Sequence, residues 1–212
     1  MDSPDILELL QRHAAILRDT HVVYTSGRHG NAYVNKDALY PHTEAVSLLC
    51  ASMAARFAGD AVDVVAGPTL GGVILAQWVA HHLSLQGREV LSVYAEKGAA
   101  GGFELRRGYD ALVAGRRVLV VEDVLTTGGS LKEVITAIRA GGGTVIGASA
   151  LCNRGGVTAA QVGNPPVLHS LVDVNLESWD AASCPLCAAG VPINASVGKG
   201  AEFLRARKGG PK

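Results

Sequence analysis

The chain has 212 residues, 48% hydrophobic and only 18% charged, so it can bury a sizeable core and does not read as disordered. Nineteen basic side chains balance nineteen acidic ones, which argues against a nucleic-acid binder working through bulk charge and makes any anion recognition local. Aromatics at 5% are too few for a base-stacking platform, and no run of 18 uncharged apolar residues offers a membrane-spanning helix.

Four cysteines in a chain this long do not make a disulfide scaffold, and the acidic start Met1–Asp5 lacks a basic leader region. The expected setting is the cytoplasm, away from membranes and nucleic acid. Glycine is over-represented, 26 residues against a usual share of about 7%. With no G-x-y period to absorb them, the glycines belong in tight loops and helix ends.

In chain order, Ser3-Pro4-Asp5 reads as a helix start, and Ile6, Leu9, Leu10, Ala14 and Leu17 follow helical spacing. Segment 20–40 reads as two short strands, at Val22–Tyr24 and Tyr33–Asn35, around a polar turn. Thr43 can cap a helix to about Phe57, stopped by Gly59.

A β-α-β-α rhythm follows. Apolar strands are predicted at Val62–Ala66, Val90–Tyr94, Val118–Val121 and Val145–Leu151, with helices at Val73–Leu85 and Leu131–Ala140. A polar, glycine-rich stretch covers Glu96–Gly108, and Val167–Val174 can form one more strand. Strands that are apolar throughout, alternating with helices, imply an α/β fold whose parallel sheet is covered on both faces. No repeat or long linker interrupts it, so residues 1–212 read as one domain.

The chemistry concentrates in Val118–Ser130: a buried strand, the acids Glu122 and Asp123 at its carboxyl end, then Thr126-Thr127-Gly128-Gly129-Ser130 opening a helix. Ligands bind parallel sheets at that end. Such a turn aims backbone N–H groups and hydroxyls at an anion, typically a phosphate. The adjacent carboxylates suit ribose hydroxyls or a divalent cation. Neither a Walker A loop nor a G-x-G-x-x-G motif is present.

This run resembles the phosphoribosyl pyrophosphate (PRPP) signature of type I phosphoribosyltransferases. Tyr24-Thr25-Ser26-Gly27-Arg28-His29 resembles the S-G-R segment of the orotate-specific members. Phe103–Gly108 and Cys184-Pro185-Leu186-Cys187 with Val191-Pro192 resemble one bacterial branch of them. The resemblance implies a type I phosphoribosyltransferase fold with a hood at about 20–40, a core at about 43–155, a C-terminal extension at about 156–205 and a flexible tail at 206–212.

It also implies roles. Glu122 and Asp123 would hold the ribose hydroxyls, and Thr126, Thr127, Gly128, Gly129 and Ser130 the 5-phosphate. Thr69, Leu70, Gly71 and Gly72 would form the pyrophosphate loop, and Lys97, Arg106 and Arg107 would supply cations from a mobile loop. Lys97 is also the catalytic cation of this reading. Thr25, Ser26, Arg28 and Arg154 would face the base. Mg²⁺ would ride on the diphosphate, and the loop's service to a neighbouring subunit implies a homodimer. The implied reaction joins orotate to PRPP. A purine or other base phosphoribosyltransferase, or a PRPP-sensing regulator, stays open beside it, since Thr25 and Leu70-Gly71-Gly72 stand where many relatives carry lysines.

The remaining clusters read as structural. Cys184-x-x-Cys187 could be half a zinc site, but Cys50 and Cys152 lie in apolar segments, so ordinary structural cysteines are expected. His81 and His82 are adjacent on a helix and do not share a face, as a metal pair would.

Overall fold

The computed structural model describes residues 3–24, 26–99, 101–174 and 176–208. Helix α1 (Ser3–Arg12) ends earlier than its apolar spacing predicts. Ala14 adopts φ +53°, and the N–H groups of Ala14 and Ala15 bond back to the carbonyls of Gln11 and Leu10, which closes the helix end. Leu17 therefore lies in a short strand, β1 (Ile16–Leu17), and not on the helix. Next come β2 (Val22–Val23), β3 (His29–Gly30), β4 (Tyr33–Val34) and α2 (Thr43–Ala55).

The alternating segment follows as β5 (Val64–Pro68), α3 (Gly71–Ser84) and β6 (Leu91–Lys97). The polar stretch after β6 contains β7 (Phe103–Leu105) and is followed by α4 (Tyr109–Val113), neither of which the sequence pattern announced. Then come β8 (Arg117–Leu125), α5 (Gly129–Ala140), β9 (Thr144–Asn153) and β10 (Leu168–Asp173). The chain closes with β11 (Ser178–Trp179), α6 (Pro185–Ala188) and α7 (Gly200–Lys208). Residues 206–208, expected in a flexible tail, continue α7.

The chain divides into two compact units. The first comprises Met1–Ile6 and His42–Val174, the second Leu7–Pro41 and Asn175–Lys212. Residues 156–174 of the expected C-terminal extension thus stay with the core, while the expected hood shares its unit with the end of the chain.

The first unit is built on a six-stranded sheet in the order β10-β9-β8-β5-β6-β7, parallel except for the antiparallel edge strand β7. Val64, Ala66, Val118, Val120 and Ala148 form a buried cluster with Leu131, Val134, Ile135 and Ile138 of α5. Because side chains alternate along a strand, Val65, Leu119 and Val121 are buried on the opposite face. Burial on both faces explains why the strands read as continuous apolar runs. Strand β8 runs four residues past the predicted Val121, so the acid pair lies within it.

The second unit holds only short pairings: an antiparallel sheet β11-β3-β2, and β1 against β4. Arg28 ties the two chain segments together. Its guanidinium donates to the Ser178 hydroxyl (3.1 Å), the Ser178 carbonyl (2.6 Å) and the Asp180 carboxylate (2.7 Å). No helix among the described residues is long and apolar enough to cross a membrane.

Candidate active site

The parallel strands of the first unit end together, at Pro68, Lys97, Leu125 and Asn153, and the loops that leave this edge carry the candidate residues. Beyond β8 the chain turns through Thr126 and Thr127 into α5. Gly128 caps that helix at φ +77° and ψ 5°, a left-handed conformation natural to glycine. The space is tight as well. A Cβ on Gly128 would lie 2.5 Å from Val162 and 2.8 Å from Val157, whereas one on Gly129 meets nothing closer than 3.6 Å.

The turn is braced from behind. Asn153 exchanges two hydrogen bonds with the Val157 backbone, at 2.9 and 3.0 Å, and Thr158 and Gln161 form a capping box on the short 3-10 helix that carries Val162. A cavity of about 140 Å³ opens at the turn, walled by Glu122, Val124 to Ser130 and Leu131. Five of the expected phosphate residues, Thr126, Thr127, Gly128, Gly129 and Ser130, line it together with Glu122.

Both acids are nearly buried, Glu122 at 7% and Asp123 at 6% exposure. They differ in direction, as neighbours on a strand must. Glu122 faces the cavity and accepts the Asp123 N–H at 3.1 Å, whereas Asp123, outside the cavity lining, accepts the Val124 N–H at 2.6 Å.

Two other loops flank the same edge. Thr69-Leu70-Gly71-Gly72 joins β5 to α3 with a cis peptide between Thr69 and Leu70, and the Thr69 N–H bonds the Ala95 carbonyl at 3.0 Å. Leu70 is 82% exposed. Gly67 and Gly72 approach so closely that a Cβ on Gly67 would overlap the Gly72 carbonyl, which is why small residues stand there.

The expected mobile loop is in part a hairpin, with Glu96 opposite Glu104 and Lys97 opposite Phe103. Arg106 pairs with Glu104 at 2.9 Å and Arg107 with Glu96 at 2.8 Å, and that partner holds the Arg107 guanidinium above its ordinary value. Lys97 carries no ion pair among the described residues.

Arg154 follows β9, and the N–H groups of Arg154 and Gly155 bond the Leu125 carbonyl at 3.0 and 3.2 Å. The 154–155 backbone is thereby clamped to the end of β8, and a Cβ on Gly155 would overlap the Thr126 carbonyl. Of the remaining expected residues, Ser26 and Arg28 belong to the second unit, and Thr25 lies outside the described residues.

Sequence reasoning missed the backing loop 157–162, whose only signal was two valines and a Thr-x-x-Gln cap.

The turn offers backbone N–H groups and hydroxyls suited to an anion, with the nearly buried Glu122 carboxylate on the same cavity wall. Comparison with known proteins bears on the fold and the family. The phosphoribosyl transferase domain family matches residues 38–182. An orotate phosphoribosyltransferase of Pelotomaculum thermopropionicum is 40% identical over 91% of this chain and 95% of its own length. One from Thermoanaerobacter sp. is 33% identical over 91% of this chain and 96% of its own. The crystal structure of Mycobacterium tuberculosis orotate phosphoribosyltransferase in complex with PRPP superposes with a TM-score of 0.62 at 28% identity, covering 82% of this chain and 97% of that one. With the signature, the parallel sheet and the cradle at its carboxyl edge all in place, the chain belongs to the phosphoribosyltransferase family.

Proposed function

We propose that this chain is an orotate phosphoribosyltransferase, transferring the phosphoribosyl group of PRPP to orotate with release of pyrophosphate. The observation that carries the reading is the buried Glu122 carboxylate on the wall of the Thr126–Ser130 cradle. Breaking the bond from C1 to the diphosphate builds positive charge on the ribose and negative charge on the leaving group. Carboxylates beside the sugar and cations beside the diphosphate stabilise that separation.

Glu122 binds the ribose hydroxyls with Asp123 next to it, and the cradle fixes the 5-phosphate so that C1 is held in place for attack. Thr69 to Gly72 present backbone N–H groups to the diphosphate. Lys97, Arg106 and Arg107 add positive charge, the arginines after exchanging their glutamate partners for phosphate oxygens.

The donor set fits a hard dication that arrives with its substrate. The turn offers hydroxyls and the Glu122 carboxylate, and among the described residues the only cluster of three or more metal-ligating side chains lies in the other unit. Mg²⁺ on the diphosphate would neutralise leaving-group charge. Closure of the 96–108 loop excludes water, which would otherwise hydrolyse PRPP. A homodimer, with that loop serving the partner's site, completes the reading.

Arg154 is assigned the orotate side, since a planar guanidinium suits bidentate recognition of its oxygens and lysine cannot copy the geometry. Ser26 and Arg28 stay candidates for the same role. The test is initial rate against each substrate, with adenine, hypoxanthine and uracil as controls. Orotate alone should be consumed. Arg154→Lys should raise the KM for orotate roughly 10- to 100-fold, the loss of one charge-assisted contact, and leave that for PRPP nearly unchanged. Consumption of a purine in place of orotate, or PRPP binding without turnover, would overturn the assignment.

A further inference from the structure

The second unit holds a cluster that phosphoribosyl transfer does not use. His21, just before β2, and His29, in β3, meet Cys184 and Cys187, which lie more than 150 residues further along the chain. All four ligand atoms fall within 4.8 Å of one another. His21 Nε2 is 2.8 Å from His29 Nδ1, 3.6 Å from Cys184 Sγ and 3.7 Å from Cys187 Sγ, and Cys187 Sγ is 3.4 Å from His29 Nδ1.

A tetrahedron with metal–nitrogen bonds of about 2.0 Å and metal–sulfur bonds of about 2.3 Å has edges of about 3.3 Å between nitrogens, 3.5 Å between nitrogen and sulfur, and 3.8 Å between sulfurs. The three nitrogen–sulfur separations agree within about 0.2 Å, and the nitrogen pair sits closer than that edge.

We infer that His21, His29, Cys184 and Cys187 form a structural Zn²⁺ site in this unit. Two thiolates and two imidazoles are the donors zinc prefers, and two thiolates cancel the charge of the dication. The atom assignment is internally consistent. His21 Nδ1 lies 2.8 Å from the Val191 carbonyl and must donate to it, which leaves Nε2 as a lone pair aimed into the cluster.

A plain packing role fits poorly. His21 and His29 are 1% and 0% exposed, and His21 Nε2 and His29 Nδ1 both face the Cys187 thiol. The expectation of ordinary structural cysteines looked for two further ligands only among Cys50 and Cys152. The fold supplies them as histidines from the opposite end of the chain.

The site would act as a clip. Few regular pairings hold the ends of the chain together here, and the metal would bind the β2–β3 hairpin to the segment around α6, adding its binding free energy to folding. Between the two histidines runs the turn with Ser26, Gly27 and Arg28, so the clip also fixes that turn.

The test is metal content of the full-length chain purified without chelator, followed by replacement with Co²⁺. Expected are one zinc per chain and, with cobalt, thiolate charge-transfer absorption plus the visible bands of tetrahedral coordination. Cys187→Ser and His29→Gln should each weaken binding more than about 100-fold, while Cys50→Ala retains the metal. Because a ligand variant can misfold, the wild-type cobalt spectrum is read independently of the variants. A reduced wild-type chain that neither contains zinc nor gives the tetrahedral thiolate spectrum would overturn the site, as would a Cys184–Cys187 disulfide that persists with no metal uptake after reduction.

Discussion

In the first unit, β8 and β9 run side by side over 9 and 10 residues, and successive stretches of chain supply neighbouring layers. In the second, no strand among the described residues exceeds two residues; β1–β4 and β2–β3 pair locally, and only β11 comes from the far end of the chain to join β3. The first unit rests on apolar area removed from water, which is non-directional and tolerant of detail. The second relies on directional contacts: the Arg28 fork to Ser178 and Asp180, and four ligand atoms converging on one point. The candidate site of one unit thus sits on the edge of an extended sheet, while the other unit has few regular pairings beside these directional contacts.

The largest effect expected from breaking this contrast is at the acid pair. Glu122→Gln and Asp123→Asn keep shape but remove charge, and should each lower kcat/KM roughly 10²- to 10³-fold, by analogy with deleting one electrostatic contact. Thermal unfolding should barely move, because the sheet does not depend on them. Steady-state kinetics within a few-fold of wild type for both variants would remove the acids from the reaction.

Next is the phosphate turn, where two adjacent glycines should behave differently. Gly128→Ala places a Cβ against Val162 and Val157 at φ +77°, costing about 1–2 kcal/mol of stability for the conformation alone and displacing the cradle. Gly129→Ala meets only ordinary contact distances and should change stability by less than about 0.5 kcal/mol. Calorimetric titration with PRPP and denaturant melts on the two variants check both halves. Equal behaviour would mean that the cradle is not braced by the 157–162 loop.

The cysteines sharpen the comparison further. Burial pushes the thiols of Cys50 and Cys152 up to about 12. In the unfolded chain they ionise near pH 8.5, so their contribution to stability is intact below that value and is lost as pH rises toward 12. Per thiol this amounts to about 1.4 kcal/mol by pH 9.5. Urea melts at pH 7.5 and 9.5 should show Cys50→Ala losing less than wild type over that interval. An equal loss in both proteins would show that Cys50 is not held protonated by burial.

The smallest effect belongs to the hairpin loop. Arg106 and Glu104 are about half exposed, so Glu104→Gln should change stability by under about 1 kcal/mol. If Arg106 serves the diphosphate, releasing it from its partner should lower the KM for PRPP several-fold. An unchanged KM would confine the arginine to the surface.

The sheet, its helices and the phosphate turn were legible from sequence because each is local: a strand buried on both faces is apolar throughout, and the Thr-Thr-Gly-Gly-Ser run shapes its own turn. The early stop of α1 was not legible, since Ala14 at φ +53° is held by backbone bonds rather than by a glycine or proline signal. Strand β7 was hidden because its pairing with β6 depends on a neighbour, not on alternation within a three-residue segment. The sequence by itself determined the α/β layering and the run of residues that lines the cavity after β8. Only the tertiary structure decided that Glu122 and not Asp123 lines the cavity, that valines from a distant loop back Gly128, and that two histidines reach Cys184 and Cys187. The physical reason is sequence separation: hydrophobic periodicity records which side of its own element a residue faces, and carries nothing about which remote residue it will find there.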